Sequence, residues 1–191
     1  MRAAGLLSFC AVLVGCTREP VESLCPELVE GDLVITEIAG PQTGNDTPPW
    51  IELYNASGAP VDLYGVKLRF RRLDGSTETP VLVRRSLEVA PGSYTVLGLD
   101  SDADPDAHID YGFASDFHTS WLSSAAIDVE ACGVRVDRAM YSSLPRAGSY
   151  ALGVTPPTAD ANDLPTNWCT DATVDSGNVP GSPQQANPAC P

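Results

Sequence analysis

The chain reads as an all-β sandwich, and three observations lead there. Apolar and polar residues alternate over short runs, most clearly where Val66, Leu68 and Phe70 interleave with Lys67, Arg69 and Arg71. Turn residues punctuate these runs at short intervals, as at Asn55 to Gly58, Asp74-Gly75 and Pro91-Gly92. No stretch of useful length carries a 3.6-residue apolar period. Short strands, frequent turns and absent helices predict two packed sheets built from local hairpins and longer connections.

The first element is not part of that body. Arg2 precedes an apolar run that ends in Leu13-Val14-Gly15-Cys16. A positive start, a short apolar stretch and a small residue before the cut form an export signal. The run falls short of the roughly 20 apolar residues that a membrane-spanning helix needs. Its end resembles the signal of bacterial lipoproteins, which implies that residues 1–15 are removed and that Cys16 carries lipid. Each buried methylene contributes about 0.8 kcal/mol, so one acyl chain holds only marginally and two or three on one residue hold firmly. An ordinary secretory signal, with Cys16 incidental, is the alternative. Thr17 stands where an aspartate would retain a lipoprotein at the inner membrane, so the outer membrane of a two-membrane envelope is the expected location.

Residues 16–30 are polar and broken by Pro20 and Pro26, as suits a flexible tether. Strands are then expected at 33–38, 50–54, 66–71, 79–83, 94–99, 109–113, 126–129, 134–141 and 149–154. In the second of these, Ile51 and Leu53 share one face while Trp50, Glu52 and Tyr54 share the other. Residues 158–191, rich in Pro, Gly and Asn, form an irregular tail that completes or covers the domain.

Four segments in order carry a family resemblance: GDLVITEI at 31–38, WIELYN at 50–55, PVDLYG at 60–65 and LEVAPGSYTVL at 87–97. They are similar to successive motifs of the bacterial lamin-tail domain. Leu122-Ser123, Val136-Asp137, Met140-Tyr141, Pro180-Gly-Ser-Pro and Ala186-Asn187-Pro188 resemble that family's closing elements. The resemblance covers roughly residues 31–190 and implies an immunoglobulin-like β-sandwich, expected over residues 31–157, and the strand pattern agrees independently, with Ile51, Leu53, Leu63, Val66, Leu68, Phe70, Val96 and Leu97 as the expected inward positions. It also implies an accessory or scaffolding role, because such domains accompany envelope enzymes and no catalytic partner domain is present in this sequence.

Charge narrows the function further. Eleven Lys and Arg oppose 25 Asp and Glu, for a formal net charge of −14. Such a chain repels phosphate backbones and anionic headgroups, which disfavours nucleic acid and leaves lipid on Cys16 as the membrane contact. Six cysteines are present. With Cys10 in the signal and Cys16 at the lipid, Cys25, Cys132, Cys169 and Cys190 remain, an even set that reads as disulfides with three possible pairings. Cys169 with Cys190 is preferred because both lie in a tail with little else to hold it, and Cys25 with Cys132 follows.

Candidate chemistry is sparse. Asp100, Asp102, Asp104 and Asp106 alternate as in a calcium loop, but Pro105 occupies the turn-glycine position and Tyr111 that of the closing glutamate, so a solvated acidic loop is expected and no cofactor. Asp116, His118 and Ser120 are the residue types of a nucleophilic triad without the elbow or oxyanion loop that would make them one. The topology that the resemblance implies puts Glu37 and Glu52 on neighbouring strands, without a cleft that would give the pair a role. Trp50, Trp121 and Trp168 could stack on a sugar or peptide, although packing at the core edge is the favoured reading. The sequence therefore points to a non-enzymatic, lipid-anchored envelope protein that binds or organises an envelope protein or glycan. A secreted hydrolase and a calcium-dependent adhesion module are the rivals.

Overall fold

A computed structural model describes residues 25–174 and 177–191. The signal segment, Cys16 and the tether up to residue 24 lie outside the described residues. The strands are β1 (Leu33–Ala39), β2 (Trp50–Asn55), β3 (Val61–Asp62), β4 (Lys67–Arg71), β5 (Thr79–Leu82), β6 (Glu88–Val89), β7 (Tyr94–Gly98), β8 (Tyr111–Gly112), β9 (Ala125–Ala131), β10 (Val134–Tyr141), β11 (Ser149–Leu152) and β12 (Trp168–Asp171), with one short helix α1 (Ala159–Asn162). A six-stranded sheet runs β12-β11-β1-β2-β7-β8 and a four-stranded sheet β10-β9-β4-β5, with β3-β6 as a small ribbon. Pairing is antiparallel except between β7 and β8. This is the expected sandwich.

The core lies where the alternation places it. Leu68 and Phe70 face Ile35, Leu53, Ile127 and Val129 in one buried cluster, while Lys67, Arg69 and Arg71 point outward. Burial of such side chains contributes roughly 1.5–3 kcal/mol each. Phe70, Phe113, Phe117 and Trp121 close one end, with ring centroids between 5.1 and 6.5 Å apart. Asn55 ties the end of β2 to the ribbon: its amide donates to Ala59 O at 2.7 Å and Val89 O at 2.8 Å, and its carbonyl accepts from Ser57 N at 3.0 Å.

Two bulges decide which side chains face where. β1 slips register between Ile35 and Glu37. Strict alternation would put Ile35 and Glu37 on one face, but the extra residue leaves Ile35 and Ile38 inside and turns Glu37 to the far side. β10 slips between Arg135 and Asp137. There the buried Asp137 carboxylate accepts from Ile35 N at 2.7 Å and from the Asn162 amide at 2.6 Å, so helix α1 pins one bulge to the other.

Several expectations need correction. The tail is not wholly irregular, because β12 pairs with β11 along Ser149↔Asp171 to Leu152↔Trp168 and forms an edge of the larger sheet. Residues 25–30, expected as tether, are docked: Leu28 is buried in the core, Gly31 N donates to Val136 O, and Cys25 is bonded to Cys132. Val96 does not point inward beside Leu97; it lies on the opposite face in a second apolar cluster with Ala39, Trp50, Ile109 and Val179. That face is buried too, by the tail, so burial at consecutive positions replaces alternation. The strand expected at 109–113 shrinks to Tyr111–Gly112. The preferred cysteine pairs are the ones joined, with Cα atoms 5.4 Å apart for Cys25–Cys132 and 5.7 Å for Cys169–Cys190.

Candidate functional site

The acidic loop is occupied by its own chain. Arg85 grips the Asp102 carboxylate with Nε at 3.0 Å and Nη2 at 2.8 Å, and Gly112 N donates to the same group at 3.2 Å. Asp100 accepts backbone N–H groups from Ser101 at 2.7 Å and Asp106 at 2.8 Å. Asp104 and Asp106 are exposed. Among the described residues no three His, Cys, Asp or Glu side chains form a group able to hold a metal ion.

The triad types are likewise not assembled. Asp116 pairs with Arg84 and accepts from Leu82 N at 3.0 Å, while His118 and Ser120 are exposed. Asp116 and His118 instead line an open depression of about 370 Å³ with Lys67, Arg69 and Arg84 on the outer face of the smaller sheet. Two of the three tryptophans are core. Trp50 is fully buried, and Trp168 stacks on Tyr150 at 4.8 Å while its indole N–H donates to Asn162 O at 2.7 Å. Trp121 is half-buried in the Phe70 cluster.

The unusual chemistry sits on the outer face of the larger sheet. Glu37 and Glu52 are direct partners across β1 and β2, and both are fully buried. The C-terminal segment crosses over them. Ser182 N donates to Glu37 Oε1 at 3.0 Å and Gln184 N donates to Glu52 Oε2 at 2.6 Å. Ser149 Oγ also donates to Glu37 Oε1, and Thr36 Oγ1 donates to Glu52 Oε1 at 2.7 Å. Glu37 Oε2 has no hydrogen-bond partner among the described residues. Around the pair the strap is fastened by Ser182 Oγ on Asp171 at 2.6 Å, the Gln184 amide on Asp110 at 3.0 Å, and the Asn187 amide on Thr36 O at 2.8 Å.

Burial sets the protonation of these acids. Loss of solvent pushes the Glu37 carboxyl up to about 7, against the opposing pull of its Ser149 and Ser182 donors, with Asp171 raising it further. Glu52 is raised well above the carboxylate range, first by burial and then by the charge of Glu37. Two adjacent carboxylates in a dry site do not both ionise near neutrality. The same face lifts the Tyr94 hydroxyl to about 12 through burial and the charge of Glu52. The sequence placed both glutamates on neighbouring strands, but not the strap above them. The available signal was a pair of glutamates inside apolar strands together with the Pro180-Gly-Ser-Pro and Asn187 elements in the tail.

Geometry of this kind defines an immunoglobulin-like β-sandwich module, closed by its own C-terminal strap and without an assembled catalytic constellation among the described residues. The family model described as Lamin Tail Domain matches residues 27–142, and the chain belongs to that family. The matched span covers β1 to β10, whereas β11, β12 and the strap lie beyond it and complete the larger sheet. A comparison with curated proteins found no match. A lamin tail domain is a non-enzymatic immunoglobulin-like domain of the kind that serves as a binding or scaffolding module.

Proposed function

We propose that this protein is a lipid-anchored cell-envelope component whose lamin tail domain binds or organises an envelope protein or glycan and performs no catalysis. The observation that carries the reading is the Leu13-Val14-Gly15-Cys16 sequence behind Arg2 and a short apolar run. Support comes from the body itself. Four cysteines beyond the signal region form two disulfides, as suits an oxidising compartment outside the cytoplasm. Cys25, nine residues after Cys16, is bonded to Cys132 of the sandwich, so lipid on Cys16 would hold the domain close to the membrane surface, and the outer membrane is the proposed location. The strong negative charge turns the module away from nucleic acid and from anionic lipid. Arg85 engages Asp102, one of the four aspartates of the acidic loop, and that pair would have to break before Asp102 could join a calcium shell, which disfavours calcium-dependent adhesion.

Fractionation of cells that express the full chain tests the anchor. Wild-type protein is expected in the membrane pellet after a salt wash, and Cys16→Ser in the soluble exported fraction with its domain folded. Retention of the serine variant in the washed pellet would refute the anchor and leave the domain assignment untouched.

A further inference from the structure

The outer face of the six-stranded sheet carries two glutamates that no binding or scaffolding role requires, and a strap that lies directly on them. Glu37 and Glu52 face each other across β1 and β2 at zero exposure. The strap contributes backbone N–H groups to one oxygen of each, from Ser182 and Gln184. Gly181 makes that approach possible: a side chain there would meet Glu37 Oε1 and come within 2.6 Å of Ser149 Oγ. Beneath the adjoining stretch of strap, Val179 covers Trp50, Val96, Ile109 and Ala39. The Cys169–Cys190 disulfide ties the strap at its far end to β12, so residues 177–187 form a closed loop able to lift without leaving.

Among the described residues, the charged groups that act on the pair are acidic. Asp171 faces it from β12 and Asp110 from the loop before β8, while Tyr94 approaches from β7. His108 lies further along the same face, edge-on to Trp50 at 6.2 Å. The donors supplied by Thr36, Ser149, Ser182 and Gln184 can stabilise one negative charge in this site, and the second then stands against it at short range in a dry environment.

We propose that Glu37 and Glu52, both protonated in the dry closed site, act with residues 177–187 as a latch, which holds the strap over the Trp50 cluster while the pair stays neutral and lets it lift when a proton passes to solvent. The sign follows from the direction of the shifts. The closed state holds the Glu37 proton up to about pH 7 and raises Glu52 well above the usual carboxylate range, whereas an opened strap returns both groups toward their ordinary value near 4.5. Closure is therefore strongest at acid pH, weakens as pH rises from the ordinary value, and has lost the Glu37 contribution once pH passes about 7. The latch is independent of whether Cys16 carries lipid.

Hydrogen exchange read by mass spectrometry on the detergent-solubilised full chain tests it, with rates corrected for the intrinsic effect of pH. Between about pH 6 and about pH 9 the protection of peptides covering residues 177–187 is expected to fall about tenfold or more, with β9 and β10 peptides unchanged. Glu37→Gln combined with Glu52→Gln, which keeps the shape and removes both titrating carboxyls, is expected to flatten that dependence. Constant strap protection, an equal loss in β9 and β10, or a double variant as sensitive as wild type would each overturn the latch. Carboxyl-carbon NMR of the wild type provides a check that needs no variant. A glutamate midpoint above about pH 6 is expected, and midpoints all in the ordinary carboxylate range would overturn it. Recovery of protection at about pH 9 on addition of calcium would assign the pair to a cation and overturn the proton latch.

Discussion

Replacing Gly181 with alanine isolates the contact between the strap and the acid pair. Gly181 sits at φ +91°, where a β-carbon strains the backbone by about 1 kcal/mol. The added carbon would also lie 2.6 Å from Ser149 Oγ and 2.9 Å from Ser149 Cβ, and press on Glu37 Oε1. Overpacking of this kind costs about 1–3 kcal/mol, so Gly181→Ala is expected to destabilise by about 2–4 kcal/mol. Gly44→Ala supplies the control. That residue has φ +74°, and nothing lies within 4 Å of its added carbon, so it suffers the backbone strain alone, about 1 kcal/mol. Urea unfolding of both variants near pH 6, with stability taken from midpoints at matched slopes, gives the difference. A gap of about 1–3 kcal/mol is expected. Equal losses would show that the strap does not pack on Glu37 and Ser149 in solution, and the description of the covered face would fall with it.

Leu68→Ala is expected to cost about 2–5 kcal/mol in the same melt, since Leu68 is fully buried between Val81 and Val129, whereas Arg69→Ala loses only partly exposed ion pairs to Glu78 and Glu130 and about 1 kcal/mol or less; equal effects would place the β4 register on the wrong face. Non-reducing peptide mapping of protein exported from its host is expected to return Cys25–Cys132 and Cys169–Cys190, and Cys190→Ser to lower stability by about 3 kcal/mol through the 21-residue loop it opens. Any other pairing would contradict the structure. Calorimetry with calcium at about 0.15 M salt, which suppresses diffuse attraction, is expected to show no saturable site, because Asp102 is already bound to Arg85 and Gly112 N. A stoichiometric isotherm lost in Asp102→Ala would refute that.

The central strands were legible because their pattern is local. Leu68 and Phe70 alternate with charged neighbours, and one buried face is enough to specify both strand and register. Strand β12 was not legible. Trp168–Asp171 is four residues with no alternation, and it becomes a strand only because β11 lies beside it, an arrangement set by residues far away in sequence. The orientation of Glu37 was hidden for a related reason. A bulge at Thr36 reverses the face of everything after it, and period-two counting passes over an extra residue without a trace.

Composition and local periodicity determined the fold class and the core face of β4, since each depends on short-range sequence, whereas the cysteine pairing was only a preference among three until the fold brought Cys25 to Cys132 and Cys169 to Cys190. The resemblance of Leu13-Val14-Gly15-Cys16 to a lipoprotein signal is the same kind of short-range information, a contiguous stretch read without a fold. Only the tertiary structure decided that both faces of the larger sheet are dry. Val96, expected inside beside Leu97, and Trp50, expected at the core edge, both lie on the outer face and are buried because Val179 lies across them. Glu37 and Glu52 look like solvated strand carboxylates until Ser182 and Gln184 close over them, and their raised proton affinity comes from the water that this closure removes. Desolvation depends on every neighbour at once, so it first becomes visible when chain segments more than a hundred residues apart in sequence are brought into contact.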